Sequence, residues 1–200
     1  MPDRNVCQVG GCREERQRLR DRLARSERAR RAAQADRDRL ERQLSAMGNL
    51  CVSLQRLQGC LTHRQVLEAI QDDVINVYGS EELAICERVP GSAELRVTQS
   101  FGVPPERLGA ITLGQGPIGR AAEGAGWILG DDGVRTEDPD LTAAVALEAD
   151  GAVVGVLAVW RLLSHKRAVH DEDRRVLEVL GRAGGAALYL AVRQEAAQAA

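Results

Sequence analysis

From Arg13 to about Leu61 the chain has no proline, and apolar residues return every three or four positions among arginine, glutamate, alanine and glutamine. These are good helix formers, and the spacing predicts one long helix or two in line. Written as heptads, the d positions fall on Leu19, Ser26, Ala33, Leu40, Met47, Leu54 and Leu61, and the a positions on Leu23, Arg30, Arg37, Leu44, Cys51 and Gln58. Ser26, Arg30 and Arg37 weaken the middle of this seam, so the coiled-coil pattern is carried mainly from Leu40 onward. A helix this polar gains little alone, and a partner helix is the natural way to take Leu40, Leu44, Met47, Cys51 and Leu54 out of water. A parallel homodimer with those five residues in its seam is therefore expected. Gly48-Asn49 is where a kink or reset would separate the coil from a globular domain.

Beyond Leu61 the pattern changes. Arg64 to Val77 places Val66, Leu67, Ile70, Val74 and Val77 on one side of a helix, capped by Thr62 and stopped at Gly79. Leu83 to Val89 and Glu94 to Phe101 read as a β-hairpin turning at Pro90-Gly91, with Leu95, Val97 and Gln99 on one face and Arg96 and Thr98 on the other. Ile111 to Arg120 runs as a short strand into a glycine-punctuated turn and a helix of one or two turns, with Pro117 suited to its first position, breaking at Gly124. Leu141 to Glu148 and Ala152 to Leu162 flank Asp150-Gly151, the dipeptide that supports a type I′ turn between antiparallel strands. A final helix starts near Asp171, with Val176, Leu177, Leu180, Ala183, Ala187, Leu190 and Ala191 as its apolar stripe. Gly181, Gly184 and Gly185 lower its propensity but allow close packing.

The ordered series resembles the GAF domain, a sensory α/β module. The residues that carry the likeness are Leu113-Gly114-Gln115-Gly116-Pro117-Ile118-Gly119, Trp127-Ile128-Leu129-Gly130-Asp131, Asp150-Gly151-Ala152-Val153-Val154-Gly155-Val156-Leu157, and His170-Asp171-Glu172-Asp173 at the opening of the last helix. The resemblance implies an α+β fold in which a GAF-like antiparallel sheet is flanked by helices, preceded by a long N-terminal helix forming a coiled coil. Its expected divisions are a flexible tail at 1–12, a coiled coil at 13–48, a GAF-like sensor at 49–195 and a short tail at 196–200. It also implies a pocket between the sheet and the short helix, with Leu113, Ile118, Arg120, Trp127, Asp131 and Asp132 as candidates. Arg120 either enters that cavity to pair with an anionic ligand through its forked guanidinium or lies exposed on the short helix. The cofactor is left unspecified. Family members that bind cyclic nucleotides carry an Asn-Lys-x-Asp-type signature, which this chain lacks. Those that attach bilins need a pocket cysteine near a histidine, and those that reduce methionine sulfoxide cluster cysteines around the pocket. Past Leu61 this chain has Cys86 alone.

Composition narrows the function. Hydrophobic residues make up 44% of the 200, enough for one core, but aromatics only 2%, so a pocket walled by stacking rings has few donors. Positions 1–50 hold 13 arginines and 8 acidic residues, while 51–200 hold 14 basic and 21 acidic. The basic half invites a nucleic-acid reading, yet Glu14–Arg18, Asp21–Arg25, Glu27–Arg31, Asp36–Arg39 and Asp38–Arg42 fall at helical neighbour spacing. No aromatic residue sits among the arginines to stack on bases. A solvated, salt-bridged coil with no nucleic-acid partner is expected.

The glycine segment lacks the Gly-Lys-Ser/Thr ending of a phosphate loop, and the sole lysine is Lys166. Carboxylates at 131–140 have no histidine or cysteine beside them, His170 next to those at 171–173 is read as a capping or surface residue at the helix start, the serines form no nucleophile elbow, and His63, His165 and His170 are scattered. The protein is read as non-enzymatic. With no apolar run long enough to span a bilayer and no export signal, it is expected to be cytoplasmic, without a membrane partner and with reduced cysteines. Cys7 and Cys12 of two parallel chains would bring four thiols together for metal or redox chemistry, or stay free in a tail. No output domain is encoded, so a separate output protein is expected. The leading function is a sensor that relays a small ligand or partner through a dimeric coil. The alternative is a ligand-free GAF-like scaffold for protein–protein interaction.

Overall fold

Helix propensity carries α1 from Val6 to Gln58 without interruption in the computed structural model, which describes residues 6–124, 128–129, 140–162 and 171–198. The helix takes in positions 6–12, expected to form a flexible tail, and runs through Gly10-Gly11. Glycine costs about 1 kcal/mol relative to alanine but keeps its N–H, so the hydrogen-bond ladder continues as it would not through proline. The helix also runs through Gly48-Asn49, where a kink or reset was expected, without a break, for the same reason.

The chain divides into two compact units, 1–45 and 46–200. In the first, α1 is exposed at nearly every described position. Its polar neighbours pair differently from expectation. Asp21 accepts from Gln17 at 3.1 Å and Asp38 from Gln34 at 2.8 Å, Arg25 donates to the Asp21 carbonyl at 3.3 Å, and Arg37 pairs with Glu41 at 2.7 Å. Exposed pairs at this spacing are worth only about 0.3–0.5 kcal/mol, which leaves the choice among neighbours open to side-chain rotamers.

The second unit is a six-stranded antiparallel sheet with helices on both faces. Its strands are β1 (Leu83–Arg88), β2 (Glu94–Phe101), β3 (Ile111–Thr112), β4 (Ile128–Leu129), β5 (Ala143–Ala149) and β6 (Ala152–Val159), in the order β3-β2-β1-β6-β5-β4. Asp150 and Gly151 both have positive φ, 52° and 75°, as a type I′ turn requires, and they close the β5–β6 hairpin where the dipeptide placed it. α2 (His63–Asp73) opens on a capping box, Thr62 with Gln65, and passes into a π-helical turn, Val74–Tyr78, that ends on left-handed Gly79. α3 (Gly116–Ala122) is short, and α4 (Asp171–Gln198) reaches past position 195, into the stretch expected to be a tail.

Strand alternation sends large and small side chains to opposite faces. Leu83, Ile85, Val145, Leu147, Leu157 and Val159 join α2, α4 and Leu57 in one core. Ala84, Cys86, Ala144, Val156 and Ala158 join α3 and Trp160 in the other. One predicted face is corrected here. Gln99 pairs with Ile85 while Val97 pairs with Cys86, so a bulge leaves Thr98 as the extra residue. That extra residue flips the strand's parity. Gln99 consequently donates to Gln71 of α2 at 2.6 Å, while Leu95 and Val97 pack on the α3 side.

α4 lies close on β5 because glycine forms its contact. A Cβ built on Gly181 would stand 2.6 Å from the Ala146 carbonyl oxygen, and one on Gly184 3.0 Å from Ile70 Cδ1. Leu188 is buried, whereas Leu190, expected in the apolar stripe, is exposed. The contact phase runs through Leu177, Gly181, Gly184, Leu188 and Ala191, and glycines are invisible to a hydrophobic pattern.

The last turns of α1 are tied to α2 by Arg56, whose Nη1 donates to Asp73 Oδ1 at 3.0 Å. Asp73 is 2% exposed. Burial pushes its carboxyl above the ordinary 3.8, and Ser53 and Arg56 pull it back. The folded protein thus holds this proton to higher pH than the unfolded chain does. Its contribution to stability falls as pH rises from 3.8 through the raised folded value, by at most about 1.4 kcal/mol per pH unit, and is level above it. Asp73→Asn should remove that part of the slope. Urea unfolding of both proteins across acid pH checks it, and parallel curves would refute it.

Candidate functional site

The α3 face of the sheet has depth because it is paved with alanine. Ala84, Ala158 and Ala144 stand side by side across β1, β6 and β5, with Cys86, Val156 and Ala146 forming the next row. α3 settles there by close backbone approach, since a Cβ on Gly119 would overlap the Thr112 carbonyl oxygen. Burial pushes the Cys86 thiol up to about 12, which keeps it protonated at neutral pH and a poor nucleophile.

Trp160, 1% exposed, fills part of that depth just past the end of β6. Its backbone N–H donates to the Glu82 carbonyl at 2.8 Å, and its carbonyl accepts from the Thr142 hydroxyl at 3.1 Å. The buried Ser80 hydroxyl has one proton to give, and the Arg161 carbonyl at 2.7 Å is the nearest acceptor. Arg161 also pairs with the Glu82 carboxylate through Nη2 at 2.5 Å and Nε at 3.0 Å. This mesh holds the Trp160 backbone from both sides.

Beside the indole lies a cleft of about 330 Å³. Ile118, Leu141 and Trp160 form its floor. The turn Pro105–Leu108 brings Arg107 to its rim, with Thr112 of β3 and Gln115 ahead of α3. Arg107 Nη2 stands 3.5 Å from Asp140 Oδ2, a contact between half-exposed side chains. A wider hollow of about 570 Å³ lies by the β5–β6 turn, among Arg88, Glu123 and Glu148. It is larger, but the cleft is the one that reaches large buried apolar side chains of the α3 core.

Of the six residues proposed from sequence, Ile118 lines the cleft and Leu113 the wider hollow. Arg120 is half-buried on α3 and is not among the lining residues of either. Trp127, Asp131 and Asp132 lie outside the described residues. Sequence reasoning missed Arg107, Leu141 and Trp160. Trp160 had a signal, since it continues the parity of Val156 and Ala158 and is the one large residue in that series. Arg107 had none.

A second surface lies on the last turns of α1. Leu57 and Ser53 are buried against the domain, while Met47 is 65% exposed and Cys51 is open on an adjacent face. Leu40 and Leu44 are exposed, and Leu54 is half-buried. Leu54 and Leu61 line an apolar groove of about 390 Å³ with Ala187 and Leu190 of α4. Among the described residues no group of His, Cys, Asp or Glu is placed to hold a metal, and no helix is long and apolar enough to cross a membrane. The side chains of Cys7 and Cys12 lie outside that description.

No family model matches the chain, and no curated protein matches it either. Solved structures do. The GAF domain of a phosphoenolpyruvate-protein phosphotransferase from Coxiella burnetii is similar at 17% identity and a TM-score of 0.64, over 77% of this chain and 98% of that one. The second GAF domain of DevS from Mycobacterium smegmatis is similar at 20% identity and a TM-score of 0.55, over 68% and 99%. A free methionine-R-sulfoxide reductase from Neisseria meningitidis, solved with its substrate, is similar at 16% identity and a TM-score of 0.57, over 74% and 90%. The fold is GAF-like. These neighbours include an enzyme as well as GAF domains of larger proteins, so function has to be argued from the site.

Proposed function

We propose that this protein is a non-enzymatic regulatory module in which the cleft beside Trp160 takes a small ligand and a dimeric coiled coil formed by α1 passes the change to a separate output protein. The observation that carries this reading is the double use of the end of α1. One face, with Leu57 and Ser53, is built into the domain core, and the next, with Met47, Cys51 and Leu54, is apolar and open to a second chain. A ligand that alters the packing of the first face biases the second, which is the differential contact a two-state relay needs. The protonated Cys86 thiol agrees with a non-catalytic role.

A ligand-free scaffold is the second reading, favoured by the way Trp160 already occupies the α3 face. Native mass spectrometry separates the two. A dimer carrying a small mass that denaturation releases supports the sensor, a bare dimer supports the scaffold, and a monomer removes the coil from both.

The seam has its own test. In a parallel dimer Cys51 faces its copy at an a position. With Cys7 and Cys12 replaced by serine, diamide, which accepts the two electrons and two protons, should join the Cys51 thiols in a disulfide. Leu44→Glu with Met47→Glu should abolish both the crosslink and the dimer, and a dimer that survives this pair of charges would refute the seam.

A further inference from the structure

Resting on the reading that α1 hands its signal to a separate output protein, we infer that this output protein docks an acidic amphipathic helix along α1 between Arg16 and Arg37, upstream of the seam that joins two copies. The charge on α1 is sorted by face. From Arg13 to Arg42 the adjacent heptad positions c, g, d and a hold seven arginines and two acids, Glu15 and Asp36. The opposite positions e, b and f hold five arginines and five acids. All the net positive charge of this stretch therefore lies on the face that carries the seam. Leu19 and Leu23 lie on that same face, 56% and 61% exposed.

A second copy of α1 fits this stretch poorly. In a parallel dimer Arg30 and Arg37, both at a, would each face its own copy, and like charges brought together in a seam oppose pairing. Asp36, at the g position before Arg37, can answer that arginine. Arg30 has only Ala29 and Gln34 at the flanking g and e positions, and it makes no ion pair among the described residues. Arg37 pairs with Glu41 at 2.7 Å, an exposed contact that a partner's carboxylate can replace at little cost. Nucleic acid would suit the charge but not the leucines, which gain nothing from a phosphate backbone. A helix with carboxylates opposite Arg30 and Arg37 and apolar residues opposite Leu19, Leu23 and Ala33 meets both demands. Its apolar contact supplies the driving force and its charges choose the partner.

The test uses the full-length protein and synthetic helical peptides as long as the Arg16–Arg37 stretch. One carries leucine at d and glutamate at a, which keeps it from pairing with itself; a second has lysine for the glutamates, and a third has serine for the leucines. Fluorescence anisotropy of labelled peptide reads binding. The glutamate peptide should bind saturably and about tenfold or more tightly than either of the others. Arg30→Glu with Arg37→Glu should reverse the preference, so that the lysine peptide binds better than the glutamate peptide, a gain that unfolding cannot produce. Equal binding with and without the leucines, or an unchanged preference in the variant, would overturn the inference. Displacement of the glutamate peptide by duplex DNA of equal charge would overturn it in favour of nucleic acid. Ser26→Cys, with Cys7, Cys12 and Cys51 replaced by serine, checks the remaining occupant: a diamide crosslink as complete as that at Cys51 would give the stretch to a second copy. If the peptides fail while the Cys51 crosslink forms, the dimeric relay stands without this partner. If native mass spectrometry shows a monomer that still binds the glutamate peptide selectively, the relay falls and the docking face stands.

Discussion

Trp160→Ala should destabilise the folded protein by about 3–5 kcal/mol, the usual cost of deleting a large buried aromatic side chain. The upper part of that range is expected because the neighbours cannot move in. Ala84, Ala144 and Ala158 end at Cβ, and the Trp160 backbone is fixed by Glu82 and Thr142, so the cavity stays open. Trp160→Phe refills much of the volume and should recover more than half of the loss. Urea unfolding of the three proteins measures this. A loss below about 1 kcal/mol for alanine would mean that the indole is not packed into the α3 face as described.

Gly185→Ala comes next in size. The added methyl would stand 2.6 Å from the Leu147 carbonyl carbon and closer still to the Glu148 backbone, and backbone cannot rotate aside as a side chain can. α4 would have to lift from β5 along a contact that also includes Gly181 and Gly184. We expect a net loss of about 1–2 kcal/mol, since overpacking against backbone should reach the upper part of the usual range of about 1–3 and the gain in helix propensity, about 1, offsets only part of it. Gly48→Ala is the control. There a Cβ meets nothing within 4 Å, and the same substitution should stabilise by about 0.5–1 kcal/mol. Thermal unfolding that moved in the same direction for both would show that propensity, not packing, decides at Gly185.

Much of this fold was legible in the residues because local chemistry and tertiary structure agree there. Asp150-Gly151 dictates its turn through positive φ, Thr62 and Gln65 dictate a helix start, and Gly79 dictates a stop. Legibility failed where a pattern is blind to the interaction that decides. The bulge at Thr98 is set by pairing with β1, so no count along β2 alone reveals that Gln99 turns away from Val97. The π-helical turn after Asp73 keeps the apolar residues of a helix and shows no break in sequence. The candidate site was the least legible part. Ile118 could be placed because it opens a helix after a glycine turn, but Arg107 reaches the cleft from a turn whose direction is set by β2 and β3.

The two apolar faces at the end of α1 fix a phase. On a helix turning about 100° per residue, the stripe of Met47, Cys51 and Leu54 and the stripe of Leu50, Ser53 and Leu57 are separated by roughly a quarter turn. They cannot be varied independently. Any screw motion that re-seats Leu57 in the core sweeps Cys51 through the same angle, as the hands of one clock share one spindle. On the proposed reading, what reaches a neighbouring chain is therefore an angle.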